Sequence, residues 1–320
     1  MEVYRISPDY ISGLVSIIIP THNRENLITE TIESVFSQIY DKIELIIIDD
    51  NSTDNTECII LENKKKSKLF DFKYIKSNKR GGQAARNIGL THSRGEFIQF
   101  FDDDDIMSPD HIQKKVNVLL ENNEVGYVAS NYFYFEETFD NIVSCKNVHD
   151  VCHTVESHIL SNSFPTPIFM CRRSSILEIG FWNERIGRLQ DLTYFHRLFL
   201  KNIKGLYISD YLFKVRKHAK SITSNTSLKI LKDKVLAYNT VYNEFHQAGK
   251  KTRLLGDVLF ICKMGCFVEA IKFKYYYWAL CNFLGLVITN PIRTGRLTLI
   301  RIYYNYVGKE RKNFYKIFFN

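Results

Sequence analysis

The sequence predicts an α/β protein in which a mostly parallel sheet is covered by helices. Short apolar runs of strand length alternate with segments whose apolar residues recur every three or four positions, as in amphipathic helices. Three of the apolar runs end in polar clusters, at residues 21–24, 49–52 and 102–105, where ligands of such sheets bind. The composition, 45% hydrophobic and 24% charged over 320 residues, is that of a globular chain with a sizeable core.

The first part of the chain contains a series of strands, each predicted from a run rich in β-branched or aromatic residues. They lie at residues 15–19, 43–48, 72–75, 96–101 and 125–131. Helical spacing predicts helices at residues 27–36, 54–61 and 83–93, and another from residue 108. Two helix starts carry capping signals: Asp54 precedes Glu57 by three residues, and Ser108-Pro109 offers a serine N-cap with proline at the first helical position.

Beyond residue 131 the pattern is looser. We predict a strand at 166–171, a short helix at 174–179 ended by Gly180, a helix starting near Asp191, and a strand from 209 that leads into a basic loop up to 221. From about residue 226 onward the sequence predicts helices rich in Tyr, Phe, Lys and Arg. No pattern between residues 135 and 190 identifies an acceptor.

The excess of positive over negative charge lies entirely in the last third of the chain. The formal net charge is +8, but residues 225–320 hold 16 Lys+Arg against 5 Asp+Glu, whereas residues 1–224 hold 27 against 30. A charge split of this kind marks segments with different roles. We therefore divide the chain into a domain of residues 1–224 and a basic, aromatic helical region of residues 225–320.

Several classes of protein are excluded by the absence of their patterns. The seven Cys are scattered without zinc spacing, so we expect reduced thiols and a cytoplasmic location. The N-terminus does not resemble a signal peptide. Polar residues and a proline interrupt the uncharged run 275–292, so we do not predict a membrane-spanning helix there. No P-loop or dinucleotide-binding fingerprint is present.

The acidic run 102–105 is the strongest candidate for a ligand site. Four consecutive carboxylates repel one another unless they are solvated or neutralised by a cation. A solvated acidic turn is the simpler reading of an isolated run. Because this one directly follows an aromatic strand and precedes a helix start, we favour a site for Mg²⁺ or Mn²⁺, which can also hold a diphosphate.

Four segments together closely resemble the family 2 glycosyltransferases of GT-A fold. They are SIIIPTHNR (16–24), IIIDDNSTD (46–54), GGQAARNIGL (81–90) and FFDDDD (100–105), the last standing where that family has its DXD motif. The order and spacing match over about residues 14–135, and residues 189–192 and 211–221 match more loosely. The resemblance implies a GT-A type, Rossmann-like sheet flanked by helices, with nucleotide-sugar binding at about 14–135 and the acceptor side at about 136–224.

The resemblance also implies which residues bind the nucleotide. Pro20, Thr21, His22 and Arg24 would line the base and ribose pocket, and Asp50 would accept a hydrogen bond from the base, typically uracil. His22 stands where an aromatic residue such as tyrosine is common in the family, which weakens stacking on the base. The resemblance implies a nucleotide-diphosphate sugar as donor, and the typical recognition of uracil in the family favours a UDP-sugar.

The phosphates, the sugar and the metal would be bound by the next two segments. By resemblance, Arg86 reaches the nucleotide or phosphates, and Asp102 and Asp103 contact the ribose and the sugar. Asp104 would coordinate a divalent cation, Mn²⁺ or Mg²⁺, that bridges the diphosphate.

Asp191 is the expected general base. Inverting members of the family use a carboxylate on the acceptor hydroxyl, usually in a Glu-Asp pair at a helix start; here the pair is Gln190-Asp191. A carboxylate can act as base at neutral pH because the hydroxyl loses its proton only as the new bond forms. On sequence alone, Asp191 could equally be a helix N-cap.

The basic segment after the last predicted strand contributes two more candidates. Arg216 would lie over the diphosphate, and His218 would be a further metal ligand. Both could instead belong to a solvated basic surface.

These features predict an inverting, metal-dependent glycosyltransferase, of hexosyl or N-acetylhexosaminyl type, acting on a glycan or lipid-linked glycan of bacterial surface polysaccharide. The basic aromatic helices of 225–320 could lie at an anionic membrane, on its inner face, or simply pack on the catalytic domain. A catalytically inactive sugar-nucleotide binder stays open because of Gln190. A nucleotidyltransferase would need a glycine-rich loop after the first strand, and a nucleic-acid-binding protein would not explain the polar strand ends, so we expect no nucleic acid.

Overall fold

The sheet is built from nine strands, and the computed structural model describes residues 4–136, 138, 140–148, 154–161, 165–217, 227–273, 275 and 277–278. The strands are β1 (Ile11–Thr21), β2 (Ile43–Asp49), β3 (Asp71–Lys76), β4 (Gly95–Phe100), β5 (Ile106–Met107), β6 (Tyr127–Glu136), β7 (Ile142–Lys146), β8 (Phe169–Arg172) and β9 (Gly205–Lys217).

Helices connect and flank these strands. They are α1 (Ile28–Phe36), α2 (Thr56–Lys66), α3 (Gly82–His92), α4 (His111–Glu121), α5 (Val155–Ser161), α6 (Arg173–Ile179), α7 (Gln190–Leu200), α8 (Leu228–Gln247) and α9 (Arg253–Lys272). A short 3-10 helix, Thr166–Ile168, leads directly into β8.

The strands follow the order β3-β2-β1-β4-β8-β6-β9-β5, with β7 paired to β6. β1, β2, β3, β4, β6 and β9 all point the same way, whereas β5, β7 and β8 run against their neighbours. The predicted fold class, a mostly parallel α/β sheet followed by helices, is therefore confirmed.

The central strands have continuous apolar runs because both of their faces are covered. Ile17, Ile18 and Ile19 of β1 and Ile46 and Ile47 of β2 are fully buried. An alternating pattern would indicate one solvated face, and the sequence shows none here. The site residues follow the carboxyl ends of these buried strands.

Two capping predictions are wrong because tertiary contacts compete with the local pattern. The Asp54 carboxylate accepts from the backbone N–H groups of Thr56 (3.1 Å) and Glu25 (3.2 Å), while Glu57 pairs with Lys76 at 2.7 Å instead of closing a capping box. Ser108 is not the N-cap of α4, which begins at His111. The short strands β5 and β7 and the helix α5 had no visible sequence signal.

Helix α7 lies between two apolar cores. Its Tyr194, Phe195 and Leu198 belong to the core of the sheet. Its Leu192 and Leu200 belong to a second core shared with α5, α8 and α9. Helix α8, the first helix of the basic region, therefore packs against the helix that carries Asp191.

Within the described residues, none of the helices has both the length and the apolar character needed to cross a membrane. The helical prediction is confirmed for α8 and α9, and the predicted basic aromatic segment from residue 279 onward lies outside the described residues.

Glu244 of α8 anchors α7 through a cluster of charges. It accepts hydrogen bonds from Arg197 Nε at 3.0 Å and from His196 Nε2 at 2.9 Å. Burial raises the pKa of Glu244, but these hydrogen bonds and charges outweigh burial and bring the pKa to about 2. Because the folded-state pKa lies below that of an unfolded glutamate, the stabilisation is complete above about pH 5 and is lost as pH falls toward 2.

We therefore expect Glu244→Gln to lower the free energy of unfolding by about 2 kcal/mol at neutral pH, because the variant leaves Arg197 without its carboxylate. Urea unfolding at pH 7 and at about pH 3 is the measurement, and the difference from wild type should shrink at the lower pH. Glu124→Gln, which removes an exposed pair with Lys204, is the matched control and should leave stability unchanged. An equal loss in both variants, or a loss independent of pH, would contradict this account.

Candidate active site

The three polar clusters meet at one edge of the sheet. β1 pairs in parallel with β2 and with β4, so that Thr21 lies beside Asp49 and Ile18 beside Phe100. The segments that follow, with Pro20 and Thr21 at the end of β1, therefore leave the sheet on the same side. The predicted convergence of these strand ends is present in the structure.

Asp50 carries an unused buried acceptor. Its Oδ2 accepts a hydrogen bond from the backbone N–H of Gly81 at 2.7 Å, and Gly81 has φ +106°, a conformation that favours glycine. Its Oδ1 is buried and accepts no hydrogen bond from the part of the chain that the structure describes. A buried carboxylate oxygen without a donor is costly, so a ligand N–H at this position would satisfy it.

The imidazole of His22 is held in one orientation next to Asp50. Nδ1 lies 2.7 Å from the Asp50 carbonyl oxygen and Nε2 lies 3.2 Å from Asn23 Nδ2. Since a carbonyl oxygen only accepts, we assign the proton to Nδ1 and leave Nε2 to accept from the amide of Asn23. These two contacts orient the ring of His22 next to Asp50.

Arg24 neutralises the next part of the acidic run. Its Nε donates to Asp103 Oδ1 at 2.9 Å, and its Nη2 lies 3.6 Å from Asp104 Oδ2. Burial raises the pKa of Asp103, and the charge of Arg24 acts in the opposite direction. This ion pair explains how part of the acidic run is accommodated in a largely buried position.

The guanidinium of Arg86 contacts several residues of the site. Its Nη2 lies 2.8 Å from Asp102 Oδ1, its Nη1 lies 3.2 Å from Gln190 Oε1, and its guanidinium carbon lies 4.8 Å from the centre of the Trp182 ring. Helix α3 can carry Arg86 this close to the strand ends because it packs tightly on β1, where a Cβ at Gly89 would lie 2.3 Å from Ile18 Cγ2.

Asp191 lies near Arg86, and both residues contact the hydroxyl of Thr166. Helix α7 begins at Gln190 after Leu189, whose φ is +56°. Asp191 is therefore the second helical residue and not the N-cap, and its Oδ1 accepts from Thr166 Oγ1 at 2.6 Å. A carboxylate in the first helical turn is favoured by the helix dipole.

The two carboxylates that flank Arg86 influence each other's protonation. Burial is the main cause that raises the pKa of Asp102, to about 7; Arg86 lowers it, and the charge of Asp191 raises it further. Burial likewise raises the pKa of Asp191, against the charge of Arg86 and the hydrogen bond from Thr166. Asp102 nevertheless keeps 30% of its side chain exposed, so it is open to a ligand.

Arg216 is engaged by protein groups. Its side chain is 6% exposed and ion-paired with Glu30, its Nε donates to the Asp104 carbonyl at 3.1 Å, and its guanidinium carbon lies 4.5 Å from the centre of the Phe135 ring. The structure thus places Arg216 beside the acidic run, where it ties the end of β9 to that run. His218 lies outside the described residues.

The donor set agrees with a cation held jointly with a substrate. The described residues contain no group of three or more His, Cys, Asp or Glu side chains that could hold a metal by themselves. Mg²⁺ and similar ions bound together with phosphates need only one or two protein carboxylates. Asp104, at the carboxyl end of β4 and with 17% of its side chain exposed, fits that mode.

Sequence reasoning did not identify Thr166 and Trp182 as parts of the site. Both lie between residues 135 and 190, where the sequence predicted a strand at 166–171 and a short helix at 174–179 but gave no sign of which residues would face the site. Only the pairing of β8 with β4 brings Thr166 near Asp191.

The model of the family described as glycosyl transferase family 2 matches residues 16–176, about half of the chain. One relative, the UDP-Glc:alpha-D-GlcNAc-diphosphoundecaprenol beta-1,3-glucosyltransferase WfgD of Escherichia coli, is 38% identical over 120 residues, which are 37% of this chain and 46% of WfgD. The match therefore spans less than half of that relative.

Two solved structures show the same fold. TarS 1-349 of S. aureus in complex with UDP has a TM-score of 0.59 at 19% identity and covers 77% of this chain and 69% of its own. The mannosyltransferase PcManGT of Pyrobaculum calidifontis, in complex with GDP-Man and Mn²⁺, has a TM-score of 0.55 at 17% identity and covers 97% and 92%. At sequence identities of 19% and 17%, these similarities show a shared fold and nothing more specific.

Proposed function

Since the chain belongs to glycosyl transferase family 2, we propose that it transfers a sugar from a UDP-sugar to a hydroxyl acceptor with inversion of configuration. The observation that favours a base with a ring N–H is the buried, unused Oδ1 of Asp50. Uracil offers a ring N–H that such an oxygen would accept. The UDP bound by the structural neighbour TarS supports the same choice.

The chemistry is a single displacement. The acceptor oxygen forms a bond to the anomeric carbon as the bond between that carbon and the diphosphate oxygen breaks. The acceptor proton passes to Asp191, and the nucleotide diphosphate leaves with the electron pair. Arg86 is ion-paired with Asp102, and its positive charge also acts on Asp191, so it would keep both carboxylates close to the reacting sugar.

Asp104 would hold a divalent cation, Mn²⁺ or Mg²⁺, and His218 would be a further ligand. The charge of this cation would stabilise the departing diphosphate. The Mn²⁺ in the PcManGT complex supports this assignment. Asp103, paired with Arg24, and Asp102 would contact the ribose and sugar hydroxyls. Pro20, Thr21, His22 and Arg24 would line the nucleotide pocket.

We further propose that the acceptor is a glycan or a lipid-linked glycan, as the name of the relative WfgD describes for that protein. The excess of 16 Lys+Arg over 5 Asp+Glu in residues 225–320 supports contact with an anionic membrane surface on its cytoplasmic side. The two proposals agree because a lipid-linked acceptor is presented at such a surface.

Replacing Asp50 with Asn tests the nucleotide assignment. The amide would keep one oxygen for the Gly81 N–H and would turn an –NH₂ donor toward the position of Oδ1. We expect the affinity for UDP to fall by about 10- to 100-fold, while the affinity for CDP, whose base has an acceptor at the same ring position, does not fall. Calorimetric titration with both nucleotides is the measurement.

Asp9→Asn is a matched control for this titration, because Asp9 is an exposed aspartate that accepts no hydrogen bond from another residue at the site. It should bind both nucleotides as wild type does. Unchanged UDP affinity in Asp50→Asn would remove Asp50 from the base pocket.

A further inference from the structure

The hydroxyl of Thr166 lies between the two oppositely charged groups at the centre of the site. Its Oγ1 is 2.6 Å from Asp191 Oδ1 and 3.4 Å from Arg86 Nη2. A guanidinium only donates and an ionised carboxylate only accepts. The hydroxyl therefore accepts from Arg86 and gives its single proton to Asp191.

This contact distinguishes the two oxygens of the Asp191 carboxylate. Oδ1 accepts a hydrogen bond from the hydroxyl of Thr166, so it is the less available of the two oxygens for the proton of an acceptor. A carboxylate on a rotatable bond would otherwise sample several orientations. The hydrogen bond selects one of them, and a base must be held within hydrogen-bond reach of the proton it removes.

The backbone that carries Thr166 is itself held by a buried lysine. Thr166 opens the 3-10 helix Thr166–Ile168, and the carbonyl oxygens of its next two residues accept from Lys115 Nζ, Pro167 at 3.0 Å and Ile168 at 2.8 Å. Lys115 is fully buried, which lowers its pKa well below the usual range. Gln99 of β4 adds a second donor to the Pro167 carbonyl at 3.1 Å.

A fully buried lysine is a costly way to satisfy two carbonyl groups. One reading is purely structural: the turn before β8 leaves these carbonyls without strand partners, and Lys115 satisfies them. The other reading adds a consequence, because a turn fixed at two successive carbonyls also fixes the residue immediately before them. That residue is Thr166, whose side chain is 99% removed from solvent and reaches Asp191.

We propose that Thr166 is a positioning residue for Asp191, with its hydroxyl orienting the carboxylate toward the acceptor and with Lys115 and Gln99 holding Thr166 in place. The inference rests on the proposed function, in which Asp191 is the base. It concerns a hydroxyl whose contacts in the structure are with Asp191 and Arg86.

The proposal has a consequence for the pH dependence of the reaction. Burial raises the pKa of Asp191, whereas the charge of Arg86 and the hydrogen bond from Thr166 both lower it. Without the hydroxyl, one of the contacts that lower the pKa of Asp191 is gone while burial still raises it. The pKa of Asp191 should therefore rise. The pH below which turnover declines should then move upward, because the base is protonated over a wider range.

The test compares Thr166→Val, which keeps the shape and removes the hydroxyl, with Thr166→Ser, which keeps the hydroxyl. UDP release from UDP-glucose and UDP-N-acetylglucosamine with Mn²⁺ is followed across the acid and neutral range. For Thr166→Val we expect a fall in kcat of about 10- to 100-fold, an unchanged KM for the donor, and an acid limb at higher pH. Thr166→Ser should restore the wild-type kcat and pH profile.

Thr193→Val is the matched control, because Thr193 is a buried threonine of α7 whose hydroxyl donates to the Gln190 carbonyl and not to Asp191. Titration with UDP on the same proteins separates the two claims. If wild type binds UDP and turns over, the inference is overturned by a Thr166→Val variant with wild-type kcat and pH profile, or by a Thr166→Ser variant as impaired as Thr166→Val. If wild type neither binds UDP nor releases it from these donors, the proposed function fails, and the inference fails with it.

Discussion

Asp191→Asn is expected to reduce the rate of sugar transfer by about 10³-fold or more, while the affinity for UDP stays at the wild-type value. The amide oxygen of the variant can still accept from Thr166 Oγ1, so the local geometry is preserved. What the variant lacks is a group that can take the acceptor proton. The loss should therefore appear in kcat and not in donor binding.

Asp210→Asn is the control for this experiment. Asp210 is an exposed aspartate of β9 that pairs with Lys114, so the substitution also removes one carboxylate of an ion pair, but away from the strand ends. It should transfer sugar at the wild-type rate. Turnover by Asp191→Asn within a few-fold of wild type would remove Asp191 from the role of base.

Asp104→Asn is expected to abolish the dependence of UDP binding on Mn²⁺ and to lower the affinity for UDP with saturating Mn²⁺ by roughly 100-fold. Asp104 is the proposed ligand of a cation shared with phosphates, and it lies farther from Arg24, at 3.6 Å, than Asp103 does, at 2.9 Å. Calorimetric titration of UDP with and without Mn²⁺ measures this without any need for turnover.

The same Asp210→Asn variant is a control here, because it changes the net charge by the same amount and leaves the acidic run intact. It should keep the metal dependence of wild type. An Asp104→Asn variant that binds UDP as wild type does, with the same response to Mn²⁺, would show that the cation is held elsewhere.

Gln190 has a definite partner in the structure. Its Oε1 accepts from Arg86 Nη1 at 3.2 Å, a contact that a neutral amide oxygen can make without a charge. Gln190 can therefore help to hold Arg86 but has no proton-accepting role of its own. In the proposed mechanism, the base function therefore falls to Asp191.

The central part of the fold and of the site could be predicted because its signals are local. Asp50 and the acidic run each follow an apolar run that forms a central strand, and parallel neighbours bring such strand ends together. The residues of the acidic run and Asp50 were therefore identifiable without any knowledge of long-range pairing.

The remaining contacts depend on pairs of residues far apart in the chain. Thr166 reaches Asp191 only because β8 inserts antiparallel between β4 and β6, and no local pattern announces that insertion. The sequence marks Arg216 as part of a basic segment but does not show that Glu30 and Phe135 would surround it. The caps at Asp54 and Ser108 were misread for the same reason, since partners distant in sequence outweighed the local preference.

The anomeric form of the released sugar tests the central claim most directly. With Mn²⁺ and an α-linked donor, UDP-glucose or UDP-N-acetylglucosamine, wild-type protein should release the β anomer, observed by proton NMR before the anomers equilibrate. A single displacement with Asp191 as base predicts this inversion. Initial release of the α anomer would contradict the account, and release of neither form by a protein that binds UDP would identify a sugar-nucleotide binder without transferase activity.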